Sequence, residues 1–371
     1  MGKLFSSKSS SSSPDYFFIA LLAILVIFGF VMLMSASSDL AKEKFGDSFY
    51  YVNHQLLFGL IPGILGFIFA FFFKYKNYEK LAIPLLLISI VFLMLVFSPL
   101  GIKIKGSERW VNFGFFSFQP GEFVKLTFLI FLAAWISRDN ARSKSFTKGF
   151  LPFLILLGIV GGLLVLQPST TIAVILGFAA ITMYFVAGAK MRFLFGMVLL
   201  GFFAVAALIY ITPYRFQRIV SFFDPGADPL GATYHISQSL IAIGSGEIFG
   251  VGFGESTTKL KYLPEPIGDS IFAVIAEEFG FIGSMFVILL FVFFIWRGLS
   301  IARASRDDFG RFLATGFSAL IGFQAFINIG AISGLIPLTG VPLPFVSFGG
   351  TALAVFLTMG GIVANISKYR R

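Results

Sequence analysis

Apolar runs repeat along almost the whole chain, and they constrain its fold more than any other feature. A helix needs about 20 apolar residues to cross a hydrocarbon core of about 30 Å, where lipid-exposed irregular backbone is not tolerated. With 57% hydrophobic and 12% charged residues, the chain is too apolar for a water-soluble domain. We therefore predict an all-α integral membrane protein with about ten transmembrane helices. The predicted spans lie near 16–36, 54–73, 81–99, 121–137, 149–166, 170–188, 193–212, 270–296, 310–332 and 346–367.

The distribution of lysine and arginine predicts the orientation of these spans. Of the 28 basic residues, 18 fall in the termini and one set of loops, 9 fall in the alternate loops, and Lys125 lies inside a span. Because basic loops stay in the cytoplasm, both termini are predicted to be cytoplasmic. The serine-rich residues 1–14 are predicted to be a disordered cytoplasmic tail, and residues 15–371 a single ten-helix domain. The long connection 213–269, between helices 7 and 8, is then extracytoplasmic.

Composition excludes several kinds of chemistry. The chain has no cysteine, so neither disulfides nor thiolates contribute, and two histidines are too few for a histidine-rich metal site. The net charge of +10 resides mainly in short loops, as orientation signals do, which argues against nucleic-acid binding. The sequence requires no cofactor. A divalent cation, Mg²⁺ or Mn²⁺, could assist a reaction at phosphate, but no metal-ligand spacing demands one.

The stretch 259–283 is the strongest candidate for a functional site. It begins polar, is kinked by two prolines, and carries Glu265 and Asp269 before it turns apolar. Asp269 would lie at the water boundary, where a membrane helix begins, open to a substrate. Glu277 lies on the same face about 12 Å deeper, at about 1.5 Å per residue. A carboxylate at that depth is costly, which makes it a functional-site candidate.

Basic residues on the same side could bind a diphosphate. Arg109 follows the third span, and Arg215 and Arg218 share one face of a predicted helix at the start of the large loop. A pair of cations at the membrane surface fits a diphosphate head group, and it fits general attraction to lipid phosphates equally well.

Lys125 lies inside the fourth span, one turn after Glu122. One interpretation is an ordinary Glu–Lys pair at the start of a helix, where an acid is favoured by the helix dipole. The other is a lysine that neutralises an intramembrane acid, with Glu277 as its partner, or that binds a phosphate.

Two further loops are unusual. The uncharged loop 333–352 contains three prolines and cannot be a continuous helix. Non-helical backbone at this depth must line a cavity or be covered by protein, so we expect one wall of a site near Asp269, with Ser347 binding substrate. The alternative is a purely structural cap. The glycines of 244–254 lack the context of a nucleotide-binding loop, and we expect tight turns there.

Four segments, in order along the chain, resemble the SEDS family (shape, elongation, division and sporulation proteins) of bacterial cell-wall synthesis. They are ERWVNFGFFSFQPGEFVK (108–125), RIVSFFDPGADPLGATYHISQSLIAIGSGEIFGVGFG (218–254), YLPEPIGDSIFAVIAEEFGFIG (262–283) and GLIPLTGVPLPFVSFGG (334–350). The phrases GVGFG and YLPE, and the start at 14–38, are more similar to the division branch, FtsW, than to the elongation branch, RodA.

The resemblance implies a ten-helix glycosyltransferase of the bacterial cytoplasmic membrane that polymerises lipid II at the outer face. The family's catalytic aspartate falls on Asp269, which would act as general base in an inverting displacement. Ile267 and Gly268 replace the His-Thr or Gln-Thr that usually precedes this aspartate. Ser169 replaces an acid, so no catalytic role is carried over to its loop.

The resemblance also implies partners: lipid II, undecaprenyl-diphosphate-linked glycan, a class B penicillin-binding protein, other divisome proteins and membrane lipid. Two other classes of function compete with it. A lipid II flippase would use the intramembrane charges Lys125 and Glu277, and a non-catalytic scaffold would need none of them. Acids concentrated on one side of the membrane favour chemistry at that surface.

Overall fold

A computed structural model describes residues 13–104, 107–114, 116–139, 141–224 and 231–370 of the chain. Most of the predicted disordered tail, 1–12, lies outside the described residues. The described helices are α1 (Tyr16–Phe45), α2 (Tyr50–Phe72), α3 (Lys76–Leu95), α4 (Pro120–Ser137), α5 (Phe146–Leu166), α6 (Thr170–Val186), α7 (Met191–Ile211), α8 (Pro213–Phe223), α9 (Ala232–Ser245), α10 (Thr258–Lys261), α11 (Ile271–Ala304), α12 (Asp308–Ile332) and α13 (Gly350–Ser367).

The helices match the predicted spans. Within the described part of the chain, 9 helices are long and apolar enough to cross a membrane, and α6 is apolar but shorter, with 17 residues. Together they account for the ten predicted spans, which confirms a helical multi-pass membrane protein. The short helices α8, α9 and α10 lie in the long connection between the seventh and eighth spans.

Several span ends differ from the prediction. Helix α1 continues to Phe45 rather than ending near residue 36, so Lys42 and Lys44 lie in its last turn and not in a loop. Helix α11 continues to Ala304, past Arg297 and Arg303, which the sequence had assigned to a loop. Basic side chains in the last turns of a helix are favoured by the helix dipole and can extend to water, so they do not end it. The last helix begins at Gly350 rather than near residue 346, because the proline-containing loop continues to Gly349.

The connection between α3 and α4 contains a small antiparallel sheet that the hydrophobic pattern did not indicate. Its strands are β1 (Gly101–Ile104), β2 (Ser107–Asn112) and β3 (Ser117–Phe118), in the order β1-β2-β3. Val111 pairs with Gly101 on one side and with Phe118 on the other. The sheet leads directly into Pro120, the first residue of α4, and it carries Arg109 on its central strand.

The centre of the bundle is formed by α4, α12 and α13. In their most apolar stretches, 78%, 72% and 78% of the residues are buried, compared with 11% in α7. Helix α12 packs against α4, α6 and α11, and α13 packs against α2. The buried polar side chains on these helices, such as Lys125 on α4 and Gln324 on α12, therefore face protein rather than lipid.

Helix α11 is broken at Gly280, where φ is 63° and ψ is −157°. The glycine-rich segment 246–252 supplies the hydrogen bonds that the break removes. Val251 N–H donates to the carbonyl of Glu277 over 2.9 Å, and Phe281 N–H donates to that of Glu247 over 2.9 Å. A Cβ on Gly280 would lie 2.4 Å from the backbone nitrogen of Gly250. The glycines thus permit backbone-to-backbone contact, beyond the tight turns that we predicted.

Substituting Gly280 tests this contact. Gly280→Ala introduces both the Cβ clash and a backbone conformation that alanine rarely adopts, which costs roughly 1–3 kcal/mol or more. We expect the midpoint of thermal unfolding of the purified protein in detergent to fall by several degrees. The control is Gly201→Ala in α7, where an added Cβ meets nothing within 4 Å. Equal midpoints for the two variants would contradict the assigned role of the break.

Candidate active site

Asp269 lies on a tight turn that connects α10 to α11. The carbonyl of Glu265 closes the turn by accepting hydrogen bonds from Gly268 N–H, over 3.0 Å, and Ser270 N–H, over 3.3 Å. Glu265 itself has a φ of +51° in the left-handed region. Asp269 directly precedes Ser270, the N-cap of α11, and is partly exposed. Its carboxylate therefore stands beside the start of a membrane helix, where the helix dipole favours negative charge.

The side chain of Asn328 on α12 is hydrogen-bonded to this turn. Asn328 Nδ2 donates to the carbonyl of Asp269 over 2.8 Å and to the carbonyl of Val341 over 2.7 Å. One buried amide therefore fixes the backbone of Asp269 to the proline-containing loop 333–349.

That loop makes two further contacts with the turn. Ser347 Oγ donates to the carbonyl of Gly268 over 2.6 Å, and Phe348 N–H donates to that of Ile267 over 2.8 Å. Ser347 Oγ also accepts from Leu343 N–H over 2.8 Å. The hydroxyl that we predicted to bind substrate is thus buried and engaged with backbone on both sides, where it supports the turn.

The loop also forms a wall beside Asp269, as predicted. At Gly340, with φ of +67°, an added Cβ would lie 3.6 Å from Asp269 Oδ2 and 3.9 Å from both terminal nitrogens of Arg218. Arg218 Nη1 donates to the carbonyl of Leu338 over 3.1 Å, and its guanidinium lies 4.5 Å from the ring centroid of Tyr214. Because Gly340 has no side chain, a carboxylate and a guanidinium can both lie next to its backbone.

The three predicted arginines lie within electrostatic range of one another. Burial lowers the pKa of Arg109, and the charges of Arg218 and Arg215 lower that pKa too, while Tyr214 acts in the opposite direction. Arg109 donates to the carbonyl of Pro168, and its buried Nε has no hydrogen-bond partner among the described residues. Arg215 donates to Thr212 Oγ1 over 3.2 Å. We call Arg109, Arg215 and Arg218 the arginine cluster; such a cluster is suited to a multiply charged anion.

Lys125 does not reach this cluster. It is fully buried, with Nζ 2.6 Å from Glu122 Oε2 and 2.9 Å from Gln324 Oε1. Its predicted pairing with Glu277 is wrong, because the acid one turn earlier on the same helix takes its place. Gln324 in turn donates to the carbonyl of Pro342 over 2.9 Å, so the Glu122–Lys125 pair supports the loop that faces Asp269.

Glu277 is also buried, and its carboxylate is occupied by protein donors. It accepts from Ser256 Oγ over 2.5 Å, from Thr257 N–H over 3.1 Å, and from both the backbone and the hydroxyl of Thr258. The adjacent Glu278 pairs with Lys259 over 2.6 Å. The predicted substrate-binding role of Glu277 therefore finds no support in its position, which holds α10 against α11.

Sequence reasoning missed four residues of this site: His235, Ser270, Gln324 and Asn328. A detectable signal existed for two of them, since Gln324 and Asn328 are polar residues four apart within an apolar span. His235 Nε2 lies 2.6 Å from Ser270 Oγ, a contact between segments far apart in sequence. No local pattern could have indicated it.

A metal site is not evident among the described side chains. No group of three or more histidine, cysteine, aspartate and glutamate residues in that part of the chain could hold an ion. Glu265 and Asp269 are the two carboxylates of the turn. The arrangement as a whole combines a proton-accepting carboxylate with cations that can stabilise a leaving anion.

Comparison with known proteins gives consistent results. The family model described as cell cycle protein, covering FtsW, RodA and SpoVE, matches residues 15–371. Stage V sporulation protein E of Bacillus subtilis (strain 168) is 39% identical over 98% of this chain and 99% of its own length. The probable peptidoglycan glycosyltransferase FtsW of Geobacter sp. (strain M18) is 38% identical over 96% of this chain and 97% of its own.

Solved structures agree with these relatives. A chain from a peptidoglycan synthase complex, studied for the coordination of polymerization and crosslinking, superposes with a TM-score of 0.76 at 28% identity, covering 95% of this chain and 97% of that one. The rod shape determining protein RodA of Thermus thermophilus superposes with a TM-score of 0.71 at 28% identity, covering 96% and 97%. The match across nearly the whole length shows that this chain belongs to the FtsW, RodA and SpoVE family of cell cycle proteins, the SEDS family.

Proposed function

We propose that the chain is a peptidoglycan glycosyltransferase that polymerises lipid II into glycan strands. Relatives of 37–39% identity carry the name probable peptidoglycan glycosyltransferase FtsW, which supports this activity. The observation that carries the proposal is that Asp269 Oδ2 and the Arg218 guanidinium both lie next to Gly340, within 3.6 Å and 3.9 Å of the position of an added Cβ. A base and a cation at one partly exposed position are what glycosyl transfer from a diphosphate requires.

The reaction is a single displacement. The growing glycan, linked through its reducing-end sugar to undecaprenyl diphosphate, is the donor, and lipid II is the acceptor. Asp269 removes the proton from the acceptor's 4-hydroxyl as that oxygen attacks the donor's anomeric carbon. The bond from that carbon to the diphosphate oxygen breaks, the diphosphate leaves with the electron pair, and the configuration inverts from α to β. Each step of this scheme is assigned to groups of the protein and the substrates, and Mg²⁺ or Mn²⁺ enters none of them.

The arginine cluster is the site proposed for the departing diphosphate. Three guanidinium groups share the region, and their mutual repulsion is relieved when an anion binds between them. Arg218 contributes most directly, because it is the member that shares Gly340 with Asp269. Glu265 lies on the same turn and is proposed to contact the acceptor.

The buried charges favour this enzyme over a flippase. A flippase would need intramembrane charges that exchange partners as a head group passes. Lys125 and Glu277 instead hold fixed partners within the protein, and both are almost fully removed from solvent. We assign them to the support of the two loops around Asp269.

The cellular setting follows from the same proposal. We place the protein in the bacterial cytoplasmic membrane with both termini inside, so that Asp269 faces the extracytoplasmic surface. A class B penicillin-binding protein and other divisome proteins are the proposed partners, supported by a structural neighbour taken from a peptidoglycan synthase complex. Near-equal identity to SpoVE and FtsW favours a cell-cycle role of the FtsW type over elongation.

Asp269→Asn is the direct test. The substitution keeps the shape of the side chain and removes the base, so polymerisation of labelled lipid II should fall by about 10²–10⁴-fold. The assay uses the purified protein with its cognate transpeptidase, and glycan products are resolved on gels. Asp39→Asn, an exposed carboxylate near the end of α1, is the control and should keep the parental rate. Parental activity in Asp269→Asn would disprove the assignment.

Arg218 should contribute to leaving-group stabilisation. Loss of a charged hydrogen bond is worth about 1.5–3 kcal/mol, so Arg218→Gln should lower kcat/KM roughly 10- to 100-fold. The kcat/KM of Arg218→Lys should lie between those of the parent and Arg218→Gln. Lysine keeps the charge but loses the planar guanidinium and its stacking on Tyr214. If Gln and Lys variants both match the parent, the arginine does not contact the diphosphate.

Lys125 gives a test that separates support from substrate binding. Lys125→Met leaves Glu122 buried without its partner and should destabilise the fold by about 3–5 kcal/mol, measured by unfolding in detergent. The double variant Glu122→Gln with Lys125→Met removes both charges and should recover most of that loss. It should also recover activity, whereas a double variant that is stable but inactive would contradict the assignment of the pair to support of the fold alone.

A further inference from the structure

His235 on α9 contacts the turn that carries Asp269. Its Nε2 lies 2.6 Å from the hydroxyl oxygen of Ser270, which is completely buried. Ser270 follows Asp269 in sequence and is the N-cap of α11, so this contact reaches the residue next to the proposed base.

The protons in this contact can be assigned from the partners. Ser270 Oγ has a single hydrogen and donates it to the carbonyl of Pro264 over 2.7 Å. A carbonyl can only accept, so the hydroxyl must accept from His235. The Nε2 atom therefore carries a proton. Serine at an N-cap ordinarily accepts from the first turn of its helix, but here no such side-chain bond forms. The Ser270 hydroxyl instead links Pro264, to which it donates, to His235 on α9, from which it accepts.

Burial is the main reason that the His235 ring is neutral. The pKa of His235 is lowered to about 4, mainly by burial and also by the charge of Arg218, with Glu265 acting in the opposite direction. Above this pKa the ring is neutral and carries its one hydrogen on Nε2, so Nδ1 is unprotonated. The imidazole thus acts as a fixed neutral donor to Ser270 throughout the usual assay range.

We propose that His235 is a positioning residue for Asp269, holding the turn 264–270 through the Nε2–H donation to Ser270 Oγ. The inference rests on the proposed function and deepens it. The hydrogen bond ties α9 to the Asp269 turn, in addition to the bond that Asn328 makes to the carbonyl of Asp269. Without it, Ser270 loses a donor and the turn can shift. A displacement of about 1 Å at a reacting group can cost about 10²-fold in rate.

Two amides distinguish the ring nitrogens. The amide nitrogen of glutamine matches the position of Nε2, and that of asparagine matches Nδ1. His235→Gln should therefore keep kcat for lipid II polymerisation within about threefold of the parent and leave the pH profile unchanged. His235→Asn has similar polarity but cannot reach Ser270. It should lower kcat roughly 10- to 100-fold with little change in KM, as expected for a displaced catalytic group.

The remaining variants control for stability and for the base. Ile241→Ala, on an exposed position of the same helix, should match the parent in rate and in unfolding midpoint. Asp269→Asn is assayed in parallel: if it retains activity, the proposed function of Asp269 fails irrespective of the His235 series. Rates are measured only at temperatures where every variant is folded. A lower rate then reports a displaced Asp269 and not a loss of fold.

Two results would overturn the proposal. If His235→Asn polymerises as fast as His235→Gln, the donation to Ser270 does not position the base. If His235→Gln is as slow as His235→Asn, with a lost inflection in its pH profile, the imidazole transfers a proton itself. The proposal is supported if His235→Gln retains its polymerisation rate and His235→Asn loses it.

Discussion

The paired hydrogen bonds of Asn328 are the interaction on which the site depends. Backbone that is not helical cannot lie at membrane depth unless protein groups satisfy its polar atoms. The carbonyls of Asp269 and Val341 belong to two non-helical segments next to membrane helices, and one amide from the buried helix α12 serves both. Gln324, one turn away on the same helix, does the same for Pro342. The Asp269 turn and the proline-containing loop are therefore positioned by a helix rather than by each other alone.

The charges near the candidate site fall into two groups with different consequences. Glu122 with Lys125, and Glu278 with Lys259, are buried pairs whose desolvation is offset by close contacts and added hydrogen bonds. Their partners are fixed, so they make the surroundings rigid. Arg109 and Arg218 lie instead in a partly exposed region where cations are concentrated. A preorganised site needs surroundings that hold its groups in place. It also needs charges that are neutralised when the substrate binds.

The sequence predicted much of the fold because the membrane leaves few alternatives. Runs such as 193–212 and 310–332 are long and apolar, and they became α7 and α12 with small shifts at their ends. The Asp269 position was also predictable, since an acid at the start of an apolar run is costly unless it is used. The partner of Lys125 was not, because choosing between Glu122 and Glu277 requires knowing which helices are neighbours.

The contacts that complete the site join segments that are distant in sequence. His235 meets Ser270, and Asn328 meets Asp269, only after the helices have packed. Hydrophobic periodicity specifies which face of a helix is buried, but it carries no information on which polar atoms will meet there. The family resemblance could supply the aspartate, since that residue lies in a continuous motif. It could not supply the supporting residues, which are defined by geometry.

The break at Gly280 explains how one helix can serve both the site and the membrane. A continuous α11 would present the carbonyls of Glu277 and Glu278 to its own later residues. Instead these carbonyls accept from Val251 and Gly252 in the glycine-rich segment. The first part of α11 is thereby bonded to the connection between the seventh and eighth spans, and the part after Gly280 packs within the bundle. The short first part, with Asp269 at its start, belongs structurally to the site. Movements of the remaining helix in the lipid bilayer need not move Asp269, because a separate set of hydrogen bonds holds each part.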